Sequence, residues 1–234
     1  MTQSLFPATS LSYAEARERL IQLLSECASK LSDADWRAGY ERIDALEEDD
    51  VLDLVTDAAL FSFRGKRRAI DRILPKLKAG DELSARLMEG LAGALFSVFE
   101  IARIDNDQII LRDVLDNGRE RVMTDLSLAR SGRPGLVFAA RLIDVGPWYM
   151  GLGIVLPLDK SEALAIAMFL ETGARDDLHE LVYHCTVHDI SLVHAIVMPM
   201  VDAFCEELDE DDKPVCELME ELGSRSGLLS RIER

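Results

Sequence analysis

All four histidines of this 234-residue chain fall within one short stretch, His179, His184, His188 and His194, interleaved with Glu180, Tyr183, Cys185 and Asp189. If the stretch is helical, Glu180, His184 and His188 stand at i, i+4 and i+8. One carboxylate and two imidazoles then share a face at the separation used by a zinc or iron site. Three such ligands reach one ion only if the face curves or a further ligand arrives from elsewhere. The metalloprotease spacing HExxH is absent, because the next histidine follows His179 by five positions. That extra residue turns the second imidazole about 100° away from where it is needed. His184 and Cys185 are adjacent and diverge on a helix, so they cannot act on each other as base and nucleophile. No glycine-rich turn lies nearby to form an oxyanion hole. As a strand, the same residues would put His184, Thr186 and His188 on one face. The sequence reading is that the imidazoles are packing material, with a metal set of Glu180, His184 and His188 as the sharper option.

A second constellation is cationic. Arg64, Lys66, Arg67, Arg68, Arg72, Lys76 and Lys78 are opposed only by Asp71. Arg64, Lys66, Arg67 and Arg68 are the candidate contacts for an anion or a nucleic acid. No aromatic residue is interleaved to stack bases, and no strand precedes Gly65 to make a phosphate cradle, so the island is expected to face water or the acidic flanks. Nucleotide-binding glycine fingerprints, a Walker loop, a GxSxG elbow and the kinase set are all missing from the sequence. The sequence points to no catalytic or cofactor-binding residue, and zinc or iron at the histidines is the one cofactor class it offers.

The elements that must position these residues follow from caps and periodicity. Ser12 with Glu15 has the spacing of a capping box and predicts a helix over 13–31, while Ser32 or Asp33 opens a second through Trp36, Tyr40 and Ile43, ending near Glu47 to Asp50. The segment 51–63 is apolar on most faces. Lys66 to Lys78 carries Ile70, Ile73, Leu74 and Leu77 on one helical stripe, weakened at its end by Pro75. Asp81 caps another helix, in which Gly90 and Gly93 allow a close approach. From Phe96 the pattern changes to short Val, Ile, Leu and Phe runs punctuated by turn dipeptides. This predicts strands over 96–104, 108–115, 119–126, 136–144 and 148–156, with Asn117-Gly118 as the strongest hairpin signal. Trp148-Tyr149 is expected to cover a barrel core, not to form a stacking platform. After Pro157 helices return: Asp159 with Glu162 opens one that Gly173 ends, Asp177 with Glu180 opens the next, and a short amphipathic helix runs through Leu218, Met219 and Leu222.

The fold class is therefore α+β. A helical region spans 1–95, a small antiparallel β-barrel or curved sheet of the SH3-like or OB-like kind spans 96–158, and a helical region spanning 159–234 packs on the rest. Within 95–158, the runs Leu95-Phe96-Ser97-Val98-Phe99-Glu100, Leu111-Arg112-Asp113-Val114-Leu115, Gly118-Arg119-Glu120, Ser131-Gly132-Arg133-Pro134-Gly135 and Ala140-Arg141 resemble a β-rich segment of uncharacterised bacterial proteins. Some of those proteins carry a SecA-type C-terminal zinc motif. The cysteines of that motif are absent here, and the resemblance implies a sheet but no established activity.

Composition narrows the function. A net charge of −17 gives a phosphate backbone little reason to approach, although 62–96 carries +4 between a flank of −8 over 1–61 and one of −12 over 159–234. The four cysteines, at 27, 185, 205 and 216, match no zinc knuckle or CxxC and read as reduced thiols. No apolar run reaches membrane-spanning length, and the opening residues lack a leader pattern, which points to a cytoplasmic protein without membrane contact. The function read from this is a non-enzymatic interaction or adaptor protein with a protein partner. The alternatives are a metal-binding protein or metal-dependent hydrolase centred on 179–194, and RNA or phosphate binding through 64–78 with Arg112 and Arg141. The apolar run from Leu192 to Phe204 adds an expectation of self-association.

Overall fold

The computed structural model describes residues 12–45, 51–171 and 177–206, so the predicted stops near Glu47 to Asp50 and at Gly173, and the helix through Leu222, lie outside the described residues. The first helices start at their caps. The Ser12 hydroxyl accepts from the Glu15 N–H and opens α1 (Tyr13–Ala28). Ser32 and Asp35 cap each other's backbone N–H groups to open α2 (Asp33–Ile43). α3 (Leu52–Phe61) buries Val55, Ala58, Leu60 and Phe61, as its nearly uniform apolar character requires. The basic island departs from the single helix expected. It begins with a two-stranded hairpin, β1 (Phe63–Arg64) and β2 (Arg67–Arg68), turned by Gly65 at φ +68°. Only then do α4 (Ala69–Ile73) and a 3₁₀ turn, Leu74–Lys76, follow. Pro75 falls in the first turn of that segment, where its missing N–H leaves no bond unmade. Ile70, Ile73, Leu74 and Leu77 are buried as their stripe predicts.

After α5 (Glu82–Ala92), capped by Asp81, come β3 (Leu95–Asp105), β4 (Gln108–Asp113), β5 (Arg119–Thr124), β6 (Val137–Asp144) and β7 (Tyr149–Leu158). They close a barrel in the order β3-β4-β5-β7-β6, with β6 returning to β3. Turn dipeptides dictate only neighbouring pairs. The ring closes through a parallel contact, Met123 beside Tyr149, which makes the barrel mixed where an antiparallel one was expected, and OB-like in its strand order. Asn117 and Gly118 both take positive φ, but their loop is longer than a two-residue hairpin because β4 ends at Asp113. A short helix that the sequence reading did not assign, α6 (Leu126–Ser131), fills the stretch between the strand expected to end at 126 and the turn at Ser131 to Gly135, and its Leu128 packs on the barrel interior of Phe99, Ile101, Ile109, Leu111, Met123 and Phe138.

β6 shows no alternation of burial, since helices cover its outer face. Val137 and Ala139 pack with Ala163 and Ile166 of α7 (Lys160–Glu171), Leu178 and Val182 of α8 (Leu178–Val187), and Leu192 and Ile196 of α9 (Leu192–Glu206). Further along, Ile143 joins Leu20 of α1, Leu87 and Leu91 of α5, and the buried Trp148 and Met150. Asp159 and Glu162 exchange capping bonds of 2.9 and 2.8 Å before α7, and α9 runs through Pro199 as one helix. Among the described residues no helix is long and apolar enough to cross a membrane.

Helix and barrel approach closely at Gly90, where an added Cβ would lie 2.5 Å from the Asp144 carbonyl oxygen, whereas at Gly93 the nearest atom is 3.7 Å away. Gly90→Ala is expected to destabilise the protein by about 1–3 kcal/mol, because the atom it meets is backbone and cannot swing aside. Urea denaturation checks this: a lowered midpoint for Gly90→Ala with Gly93→Ala close to wild type is the expected pair, and equal midpoints would contradict the packing.

Candidate functional site

α8 is held by a face that meets the end of α2 in three successive contacts. Glu180 pairs with Arg42, the His184 Nδ1–H points at the Ile43 carbonyl (3.3 Å), and the His188 Nε2–H points at the Asp44 carbonyl (2.9 Å). The i, i+4, i+8 stripe visible in the sequence is thus a docking seam, each member taking one residue of the α2 terminus. Asp177 makes no side-chain cap, and Glu180, its expected capping partner, is drawn instead to Arg42. Asp44 closes α2 in the left-handed region, at φ 49° and ψ 39°, a conformation open to Asp among the few residues other than Gly. That turn brings its carboxylate to 3.6 Å from His188 Nε2. A carbonyl can only accept, so each imidazole carries its proton on the bonded nitrogen. His184 Nε2 and His188 Nδ1 remain as the basic atoms of the neutral rings. The ring centroids are 4.6 Å apart, and one donor atom from each of Asp44, His184 and His188 lies within 4.8 Å of the other two.

The remaining histidines lie elsewhere. His179 is buried, with its Nε2 2.9 Å from the Ser62 hydroxyl, and His194 is exposed on α9. Cys185 faces the apolar cluster between α8 and the barrel, away from His184 and His188. Burial and the charge of Glu162 push its thiol up to about 11, and burial does the same for Cys27. Neither supplies a thiolate at neutral pH.

The other flank of α2 borders the basic hairpin. Ala34, Arg37, Ala38, Glu41 and Arg42 form, with Arg64, an open groove of about 520 Å³. Beneath it, Asp35 is almost wholly buried and its Oδ1 accepts from both Arg64 (3.1 Å) and Arg72 (2.6 Å). Burial alone would raise this carboxyl. The hydrogen bonds from Ser32 and the two guanidinium groups outweigh it and hold the carboxyl below the usual range. Of the predicted anion contacts, only Arg64 reaches the groove. Arg68 is committed to Asp71 and the Ala92 carbonyl and lies over the Phe63 ring, while Lys66 and Arg67 are exposed on the hairpin. Arg37 has no ion-pair partner among the described residues.

What seats α8 was missed by sequence reasoning. Asp57 of α3, Arg141 of β6 and Tyr183 of α8 are buried together. Arg141 Nε and Nη2 donate to the Asp57 carboxylate at 2.8–3.1 Å, and the Tyr183 hydroxyl donates to Asp57 Oδ1 at 2.9 Å. The Arg141 guanidinium also lies 4.3 Å from the centroid of Phe61 and 5.4 Å from that of Phe96. Burial opposes the charge on Arg141, yet the adjoining Asp57 carboxylate outweighs it and keeps the guanidinium charged, and burial with the Asp57 charge raises the Tyr183 hydroxyl well above its ordinary value. Arg141 is therefore unavailable to RNA, and Arg112 lies 3.8 Å from Glu100. The signal was a lone charge inside each of two apolar runs, Val-Thr-Asp57-Ala-Ala-Leu and Phe-Ala-Ala-Arg141-Leu-Ile.

The family model described as "Family of unknown function (DUF7986)" matches residues 9–168, a span that takes in the groove and the barrel and ends before α8. No curated protein matches the chain, and no solved structure does.

Because the Asp35 carboxyl is held below its unfolded value, it stabilises the fold above the unfolded pKa of about 3.9, and that stabilisation is lost as pH falls through the folded value. Asp35→Asn is expected to lower stability at pH 7 and to flatten the loss on going from pH 5 to pH 2. Urea midpoints across that range decide the matter, and an unchanged acid slope would contradict it.

Proposed function

The chain belongs to that family of unknown function, and for it we propose a non-enzymatic role: an interaction module that engages an acidic protein segment through the groove between α2 and the β1–β2 hairpin. The observation that carries this reading is the excess of guanidinium over carboxylate there. Arg37, Arg42 and Arg64 line it against the one lining carboxylate, Glu41; Arg42 is paired with Glu180, Arg64 shares the Asp35 charge with Arg72, which does not line the groove, and Arg37 has no ion-pair partner among the described residues. Planar guanidinium forks with exposed N–H groups grip carboxylates in pairs and at fixed geometry. The groove is open, which suits a chain segment lying along α2 better than an enclosed small molecule. A local positive patch on a chain of net charge −17 repels acidic partners everywhere else and so fixes where one docks.

Nucleic acid is the weaker fit. Stacking needs free rings beside the cations, and Phe63 lies against Arg68 while Tyr149 lies against Arg121.

Fluorescence anisotropy with a labelled Glu- and Asp-rich peptide tests the reading. Binding at low salt that weakens several-fold between about 50 and 200 mM is expected, since exposed charges are screened over about 10 Å. Arg37→Glu should reduce it at least tenfold while Lys160→Glu, on α7, leaves it within twofold. Equal binding of a peptide with Gln and Asn in place of the acids, or no response to Arg37→Glu, would overturn the proposal.

A further inference from the structure

We propose that Asp44, His184 and His188 bind a divalent transition metal of the zinc class, clamping the end of α2 to the end of α8. This site is separate from the groove and does not rest on the acidic-partner reading. Its three donors come from segments about 140 residues apart in the chain, and the described residues already place one donor atom of each within 4.8 Å of the others. Zinc bonds to imidazole nitrogen at about 2.0–2.1 Å, so tetrahedral donors sit about 3.3 Å apart. The 4.8 Å bound exceeds that spacing by roughly 1.5 Å, a closure that rotation of the exposed Asp44 side chain and of the His188 ring would have to supply. The Asp44 side chain is 81% exposed and that of His188 32% exposed.

The surroundings are those of a metal-ligating pair. Each imidazole donates its outer N–H to a backbone carbonyl, His184 to Ile43 and His188 to Asp44. For a ring that ligates through the nitrogen facing away from its carbonyl, that contact is the outer partner that ligating histidines have; the Asp44 carboxylate itself stands 3.6 Å from His188 Nε2, so that imidazole must turn for its Nδ1 to bind. α8 is itself held in register by the Arg42–Glu180 ion pair and by Tyr183 on Asp57, so both rings already stand at the end of α2. Two imidazoles select zinc, cobalt or nickel over magnesium and calcium, which need oxygen donors. Three protein ligands leave a fourth position for water. Glu180, the acid that spacing alone puts in the set, is committed to Arg42, and Asp44 stands in its place.

The same two imidazole bonds would also cap the terminal carbonyls of α2 without any metal. The test separates these roles. Tag-free protein is stripped with chelator and titrated with Co²⁺ followed optically and with Zn²⁺ followed calorimetrically. One equivalent of Co²⁺ giving visible tetrahedral bands, without the near-ultraviolet band of thiolate ligation, is expected. Zn²⁺ in excess should raise Tm, because the ion binds the folded chain only, and Mg²⁺ at the same concentration should not. His188→Ala and Asp44→Asn, both at exposed positions, should each weaken Zn²⁺ binding at least tenfold and abolish the Tm rise, while Arg37→Glu leaves both intact. His184→Ala should do the same, and if it does not fold the two exposed variants still decide the question. Failure of the wild-type chain to take up Co²⁺ or Zn²⁺, or uptake unchanged in His188→Ala and Asp44→Asn, would overturn the site and leave the imidazoles as helix caps.

Discussion

The arrangement of helices on this barrel depends on one buried ion pair. Arg141 projects from the outer face of β6, the strand buried on both sides, into the space between α3 and α8, where among the described residues Asp57 alone compensates its charge. A charge in such a place is tolerable only when its partner and its remaining N–H groups are satisfied. Here the carboxylate receives two guanidinium nitrogens and the Tyr183 hydroxyl, while Phe61 and Phe96 flank the cation. Three distant parts of the chain thereby acquire one permitted arrangement. No buried side-chain nitrogen or oxygen among the described residues is left without a partner.

The position of both candidate sites follows from that knot. α3 packs closely on α2, where a Cβ on Gly39 would come within 2.9 Å of the Val55 carbonyl oxygen, so fixing α3 fixes α2. Tyr183 fixes α8 from the same carboxylate. The seam on which Arg42, Ile43 and Asp44 meet Glu180, His184 and His188 is the third side of that triangle, and α2 carries the cationic groove on its other flank. One helix therefore presents a charged surface along its length and a donor set at its end.

Much of the fold was legible because its signals are local. Turn dipeptides marked the strand ends, Ser12, Ser32, Asp81 and Asp159 act as helix caps where they stand in the sequence, and Gly90 announced a close contact. The helical spacing of His184 and His188 identified two neighbours that do face each other. What escaped was non-local. Asp44 lies far from the histidines in sequence and reaches them only through a left-handed turn that no periodicity reveals. The parallel β5–β7 contact joins strands that no hairpin connects. Arg141 reads as a barrel cation because a strand covered on both faces shows no alternation to mark its outward-facing charge as a buried one.

The central claim is that Asp57 and Arg141 act as one unit, and a double-mutant cycle in urea tests it most directly. Asp57→Ala and Arg141→Met should each cost about 3–5 kcal/mol, since each strands a buried charge, and the double variant should be no less stable than the worse single one. Losses that simply add, or single losses below about 1 kcal/mol, the typical range of an exposed pair, would contradict it.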